Sequence, residues 1–481
     1  MRRALRWVVG SVLSVVCAAC AAEGEEPSSV EEALRGRSSF LDVRRSLAVT
    51  DAEILARFPL SRVMDRLARE ANVKGLTGIS LFQQWWDTQN EGPGLGRGAH
   101  CDDYEGANGQ PILNGYPYDC RPAPSEGAQA ACSSFDAPAC RYIPIGLFNR
   151  FDKAPPDGEH CGEYRIIYAK ESGQTARLDR NLFILEATLP NPRPWQGLQG
   201  CREIVEGWAE LSLIDDLQDR ALLLETMYFS GIGRTAPIVR FDHFGNNPAG
   251  LGQIRTNQFI NPNAPFVWTL REFKLVRSCP RRGGCRAELQ MVTAKANPTG
   301  VLFGDAANDP RAADFQAQFA RDAVEPLLVR SLFDIFMDTP DRFNSGQSHS
   351  SGSMEMDLEG PFTAKKTNFR TQLWRALGAC GSKITPEQLV RRAATQTCAG
   401  CHQLSNGDDL GEGLVWPASL GFVHVSEENP ETVDGHLRFR ISPALTSTFL
   451  PERARVMVDY LNTRPSRRRG RGVTLGGRFT H

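Results

Sequence analysis

Beyond its first twenty residues the chain has no hydrophobic run that approaches transmembrane length, which excludes a bundle of several spanning helices. It also lacks an excess of either charge: 55 Lys and Arg stand against 56 Asp and Glu, a formal net charge of −1. That balance points to no nucleic-acid partner, and none is expected. No segment repeats at a fixed period, so a solenoid or propeller is excluded. P-loop, HExxH and GxSxG are all missing, and with them the usual signatures of nucleotide cradling, zinc proteolysis and hydrolase elbows. "GIGRTA" at 231–236 matches GxGxxA, but it follows a helical stretch and leads into "PIVRF". That order is wrong for a dinucleotide fold, so the segment reads as a turn.

What is present begins at the N-terminus. Arg2, Arg3 and Arg6 form a basic region, "WVVGSVLSVV" a short apolar one, and small residues surround Cys20. This pattern predicts a secretory signal over 1–20. "CAAC" resembles a lipobox and makes Cys20 the lipidation candidate, although Cys17 holds the place usual for Leu. Cleavage after Ala21 is the alternative. Residues 21–32 then read as a tether. The expectation is an exported protein of the periplasm or cell envelope, anchored to the membrane as a lipoprotein.

Export changes how the thirteen cysteines read, because disulfides form and persist outside the cytoplasm. Local spacing favours Cys132 with Cys140 and Cys279 with Cys285, then Cys101 with Cys120 and Cys161 with Cys201. Connectivity does not follow from sequence alone.

The fold class expected is α+β. Residues 33–345 mix helical periodicity ("SRVMDRLARE", "LQDRALLLETMYF") with strand-like runs ("EYRIIYAK", "LFILEATL", "WTLREFKLV", "AELQMVTAK"), in no regular alternation. Thr50 with Glu53 reads as a capping box, and Asp309 with Pro310 as a helix start. The Ser/Gly-rich stretch within 346–360 reads as a linker, 361–463 as a second, mainly helical domain, and 464–481, with six arginines, as a basic disordered tail.

That second domain holds the most specific signal, Cys398-Ala399-Gly400-Cys401-His402. Two cysteines two residues apart reach the two vinyl groups of a haem, and the adjacent imidazole reaches its iron. A helix should lead straight into the motif, since Thr385, Pro386 and Gln388 supply an N-cap, a first-turn proline and a capping-box partner. The bland readings are a disulfide within the pair or to Cys380, and a zinc site short of two further ligands. A thioredoxin-like pair would open a helix after a strand, whereas this one follows a helix.

Helix, C-A-G-C-H, Gly-rich loop and closing helix together resemble a cytochrome c domain over about a fifth of the chain. The remainder resembles uncharacterised exported lipoproteins of myxobacteria. The resemblance implies one covalent haem c, with Cys398 and Cys401 as thioether ligands and His402 as the proximal iron ligand. It implies that the Pro417 carbonyl orients His402, and that Tyr460 and Leu461 close the packing helix. No methionine lies between His402 and that helix, so the distal position falls to His424, His436 or Met457, or stays open. The function so implied is electron transfer with a redox partner protein. The alternatives are a haem-free surface lipoprotein that binds or scaffolds, and an oxidoreductase with haem as relay.

Other pairs read more plainly. His100–Cys101 and His160–Cys161 are disulfide halves beside incidental histidines, Trp85–Trp86 a helix end burying indole rings, and Asp242–His243 an acid/base pair without a nucleophile.

Overall fold

A computed structural model describes residues 41–121, 132–261, 267–351 and 355–463. The signal, Cys20, the tether and the basic tail lie outside the described residues. Among those described, no helix is long and apolar enough to cross a membrane.

Helix and strand are mixed, as expected, around one large antiparallel sheet. Its eight strands are β1 (Ala48–Val49), β2 (Tyr142–Arg150), β3 (His160–Lys170), β4 (Asn181–Pro190), β5 (Gln253–Asn261), β6 (Val267–Ser278), β7 (Arg286–Val292) and β8 (Gln347–His349). Spatial order runs β1-β2-β3-β4-β5-β6, and β7 and β8 then share the far edge of β6 end to end. All four strand-like runs named from sequence fall in this sheet. In β4 only Pro190 is exposed, so both sheet faces are covered.

The two faces carry different partners. On one, Phe183 of β4 packs at 4.8 Å on Trp85 and 5.8 Å on Phe82, both from helix α2 (Gly78–Asp87). Helix α1 (Leu60–Ala71) precedes α2 and ends on Asn72, whose left-handed φ of 52° stops it. Trp85 and Trp86 are fully buried here and form part of the core. The opposite face, with Leu182, Ile184 and Glu186 of β4, is covered by the C-terminal segment. A bulge between Pro144 and Gly146 in β2 shifts the register, so that Tyr142 serves the first face while Phe148 and Arg150 serve the second.

The second domain expected over 361–463 is not separate. Its apolar side chains belong to the same continuous core as the sheet. Tyr460 stacks edge-on at 4.7 Å against Phe151, and its hydroxyl donates to the Leu198 carbonyl at 3.0 Å. Arg180 makes a buried ion pair with Glu427 at 2.7 Å. Besides helices at Asn368–Ala379, α3 (Pro386–Ala394) and α4 (Leu450–Asn462), the segment contributes the hairpin β9 (Val425–Val433) and β10 (His436–Ile441). Within the expected linker, Gln347–His349 form the buried strand β8, where the Gln347 side chain accepts from Arg271 of β6 at 2.7 Å and the Ser348 hydroxyl accepts from the Ala399 N–H at 2.9 Å. A polar composition reads as loop only where water supplies the partners.

All four disulfides form as local spacing favoured: Cys101–Cys120, Cys132–Cys140, Cys161–Cys201 and Cys279–Cys285. The capping box at Thr385 forms in full. That at Thr50 does not: helix Ala52–Leu55 starts from Asp51, and the Thr50 hydroxyl accepts from Arg44 at 2.7 Å. The helix near Asp309 starts later, at Ala312, with the Asp309 carboxylate accepting the Arg311 N–H at 2.8 Å.

Candidate functional site

Between the second sheet face and the C-terminal segment lies a cavity of about 100 Å3. α3 delivers the CxxCH turn into its wall. Its capped N-terminus fixes the helix start, and its last turn runs directly into the motif. The N–H of Ala399 donates to the Ser348 hydroxyl of β8 at 2.9 Å, which fastens the turn to the sheet.

Cys398, Cys401, His402 and His424 all line this cavity. Neither cysteine is in a disulfide, so the expected bland pairings, with each other or with Cys380, are absent. Burial pushes their thiols up, to about 11 for Cys398 and about 12 for Cys401, which leaves them protonated and unlike activated redox thiols. Nδ1 of His402 donates to the Phe422 carbonyl at 2.9 Å, and that same oxygen accepts from Asn257 of β5 at 3.1 Å. Tethering at Nδ1 leaves Nε2 as the nitrogen available to a metal. Burial lowers the His402 pKa to about 4, so its ring is neutral. His424 repeats the arrangement: its Nδ1 lies 2.9 Å from the Ser442 hydroxyl, its Nε2 3.5 Å from the Cys401 sulfur. Burial, and then the neighbouring His402, hold its pKa well below the usual histidine value. The two rings stand 4.7 Å apart, centre to centre.

The other sequence candidates fall elsewhere. His436 is on the surface, paired with Glu53 at 3.0 Å. Met457 is buried but outside the cavity lining, with its sulfur 3.7 Å from the Asn149 amide. The Pro417 carbonyl does not orient His402; that role falls to Phe422, which β9 places beside the ring. Asp242 and His243 form no pair: His243 bonds the Ile238 carbonyl at 3.0 Å, and Asp242 accepts from Asn246 at 2.5 Å.

Sequence reasoning missed the arginines. Arg150, Arg165, Arg255 and Arg453 line the cavity with a single carboxylate, Glu186. Most are compensated from behind: Arg150 grips Asp152 at 2.8 Å, Arg165 contacts Glu163 and Glu186, and Arg255 contacts Glu186 and Glu272. Arg453 is the exception. Its side chain is 8% exposed, its closest carboxylate is Asp152 at 3.8 Å, and Nε has no hydrogen bond among the described residues. Burial, then repulsion from Arg150, lower its pKa well below the usual arginine value. An under-compensated buried cation facing a cavity matches an anionic group on whatever fills it.

The lining fits haem c on three counts: two unbridged thiols, an imidazole tethered at Nδ1, and a spare cation for a propionate beside apolar walls of Phe148, Ile167, Trp416 and Phe449. It does not fit a bare ion, since no group of three or more His, Cys, Asp or Glu among the described residues is arranged to hold one. No protein-family model matches the chain, and comparison with curated proteins and with solved structures returns no match.

Proposed function

We propose that this chain is an exported haem protein that carries one covalent haem c in the cavity described and transfers electrons to a redox partner protein. The observation that carries the reading is the convergence of Cys398, Cys401 and His402 on one cavity that also holds the under-compensated Arg453. Thioether formation adds each thiol S–H across a vinyl group and consumes no oxidant, so it needs reduced, unbridged cysteines. The reading gives His402 the proximal position. His424 takes the distal one, because it alone of the three distal candidates lines the cavity. With the rings 4.7 Å apart, an iron bound by both would part them. When bound, the haem supplies one-electron exchange between ferrous and ferric iron. The chain supplies the rest: apolar walls that exclude water, and Phe422, Ser442 and Asn257 that orient the imidazoles.

The test is expression with the signal in a bacterium carrying the cytochrome c maturation system, followed by haem staining of a denaturing gel. A stained band that disappears in Cys398→Ala with Cys401→Ala supports the reading. Abundant, exported but colourless protein overturns it and leaves the haem-free lipoprotein.

A further inference from the structure

The sheet face that lines the first cavity continues beyond it. Along β4, Leu182, Ile184 and Glu186 face that cavity, and Thr188, next on the same face, lines a second one. The second cavity has a volume of about 420 Å3 and different walls. Lys153, Lys295, Glu163, Asp338 and Asp341 line it, and Leu251 and Met337 give it apolar surface.

Both lysines are anchored from behind. Lys153, at 9% exposure, donates to Glu163 at 2.8 Å, and Lys295 donates to the Gln253 amide oxygen at 3.2 Å. An ammonium has three N–H donors, so each keeps donors for the cavity. The placement of Lys295 is built at some cost. The next residue, Ala296, is buried with a left-handed φ of 50°, a conformation that costs a residue with a Cβ about 1–2 kcal/mol. Asn297 holds it there, its N–H donating to Asn344 at 2.8 Å and its side chain to the Gln347 carbonyl at 2.8 Å.

Charge points the same way. The ion-pair network between the two cavities joins Arg150, Lys153, Arg165, Arg255 and Arg453 to Asp152, Glu163, Glu186 and Glu272. Lys295 joins it through the amide of Gln253, which donates to Glu186 at 2.6 Å, and through its charge, which helps hold the Glu163 carboxyl below its usual pKa. The second cavity's own lining sets Lys153 and Lys295 against Glu163, Asp338 and Asp341, so it presents both signs of charge to a ligand. Arg453 faces the first cavity with incomplete compensation, and Lys295 faces the second. Asp338 and Asp341 form no ion pair with either lysine among the described residues, so they leave that cation available.

We infer that the second cavity binds a small organic carboxylate, its carboxylate held between Lys153 and Lys295. A ligand that also carries an ammonium group gains Asp338 and Asp341, so free carboxylic acids and amino acids share this chemistry. Burial depresses the Lys153 pKa to about 7, and a bound carboxylate would raise it, so binding near neutral pH takes up protons.

The test is calorimetric titration of the full exported chain with two probes of one carbon skeleton, leucine and 4-methylpentanoate. Saturable binding in the millimolar range or tighter, weakened at least about tenfold in Lys295→Met, is the expected result. Leucine binding tighter than 4-methylpentanoate identifies an amino acid site; equal affinity identifies a plain carboxylate site. Glu163 keeps Lys153 and Arg165 as ion-pair partners, so Lys295→Met leaves no buried carboxylate unpaired, and its thermal unfolding and colour should match the parent's. Failure of both probes to bind, or unchanged binding in Lys295→Met, overturns the inference whether or not the protein is red.

Discussion

His402 is fastened through the Phe422 carbonyl to Asn257, a strand residue 145 positions earlier in the chain, with bonds of 2.9 and 3.1 Å that use both lone pairs of one oxygen. The His402 imidazole is therefore oriented by the sheet, and no longer only by its own loop. Asn257→Ala removes one buried hydrogen bond and should cost about 1–2 kcal/mol in urea unfolding. In the haem-loaded protein it should also make His402-dependent visible absorption disappear at a lower denaturant concentration than global unfolding. Coincident losses would show that Asn257 only stabilises.

The cysteines give a prediction that needs no structure determination. After full reduction and unfolding, Cys398 and Cys401 should resist iodoacetamide, because a thioether is not reduced by thiols. The eight disulfide cysteines should all react. Alkylation at Cys398 and Cys401 in protein matured with haem available would count against covalent attachment.

Arg453 should act in opposite directions on the two forms of the protein. In a haem-free background carrying Cys398→Ala and Cys401→Ala, Arg453→Met removes an under-compensated buried cation. It should raise stability by about 1–2 kcal/mol. In the haem-loaded protein the same change removes a partner for a propionate and should lower the reduction potential. A Met variant that destabilises both forms equally would reduce Arg453 to a packing residue.

How much of this could be read in the sequence follows from the range of the interactions involved. Thr385, Pro386 and Gln388 announce the helix that delivers the motif, because capping is settled within three residues. The four disulfides were legible because each pair is close in sequence. The orienting carbonyl was not: any residue offers one, and only the fold, which brings Asn257 of β5 to it, selects Phe422. The arginines were illegible for a similar reason. Arg150, Arg165 and Arg255 sit in strands whose composition reads as ordinary, and only the register of β2 to β5, including the bulge at Pro144, turns them to one face. Gln347–His349 read as linker because polar residues in a strand look like loop until their partners are known.

His349 of that strand predicts a pH dependence. Burial alone would lower its pKa, but hydrogen bonds and charge from Asp119 at 3.2 Å and Glu355 at 3.4 Å outweigh it and raise the value. A raised histidine pKa means that the charged ring stabilises the fold, fully so below about pH 6.5, and that this is lost as pH rises through the raised value. Asp119 is held below its usual pKa, first by its hydrogen bond to His349, so its contribution is present above about pH 4 and lost as pH falls further. The stability difference between the parent and His349→Gln should therefore be largest near pH 5 and shrink by about pH 9. A difference that does not vary with pH would mean that His349 stays neutral.

The Cys161–Cys201 bridge offers the last test, because it ties the start of β3 to the segment 40 residues on and so frames the second cavity beside His160 and Glu163. Loop-closure entropy makes a bridge of this span worth about 4 kcal/mol, against about 2 kcal/mol for a span like that of Cys279–Cys285. Cys279 and Cys285 close an exposed hairpin at the ends of β6 and β7, where the loop they restrain is short. Replacing Cys161 and Cys201 with Ala should therefore lower the unfolding free energy by roughly twice as much as the same change at Cys279 and Cys285. It should also loosen Lys153 through Glu163 and weaken carboxylate binding, while the shorter bridge leaves binding unchanged. Equal costs from the two bridges would show that the unfolded chain is already compact around Cys161. Unchanged carboxylate binding would show that β3 holds the cavity without it.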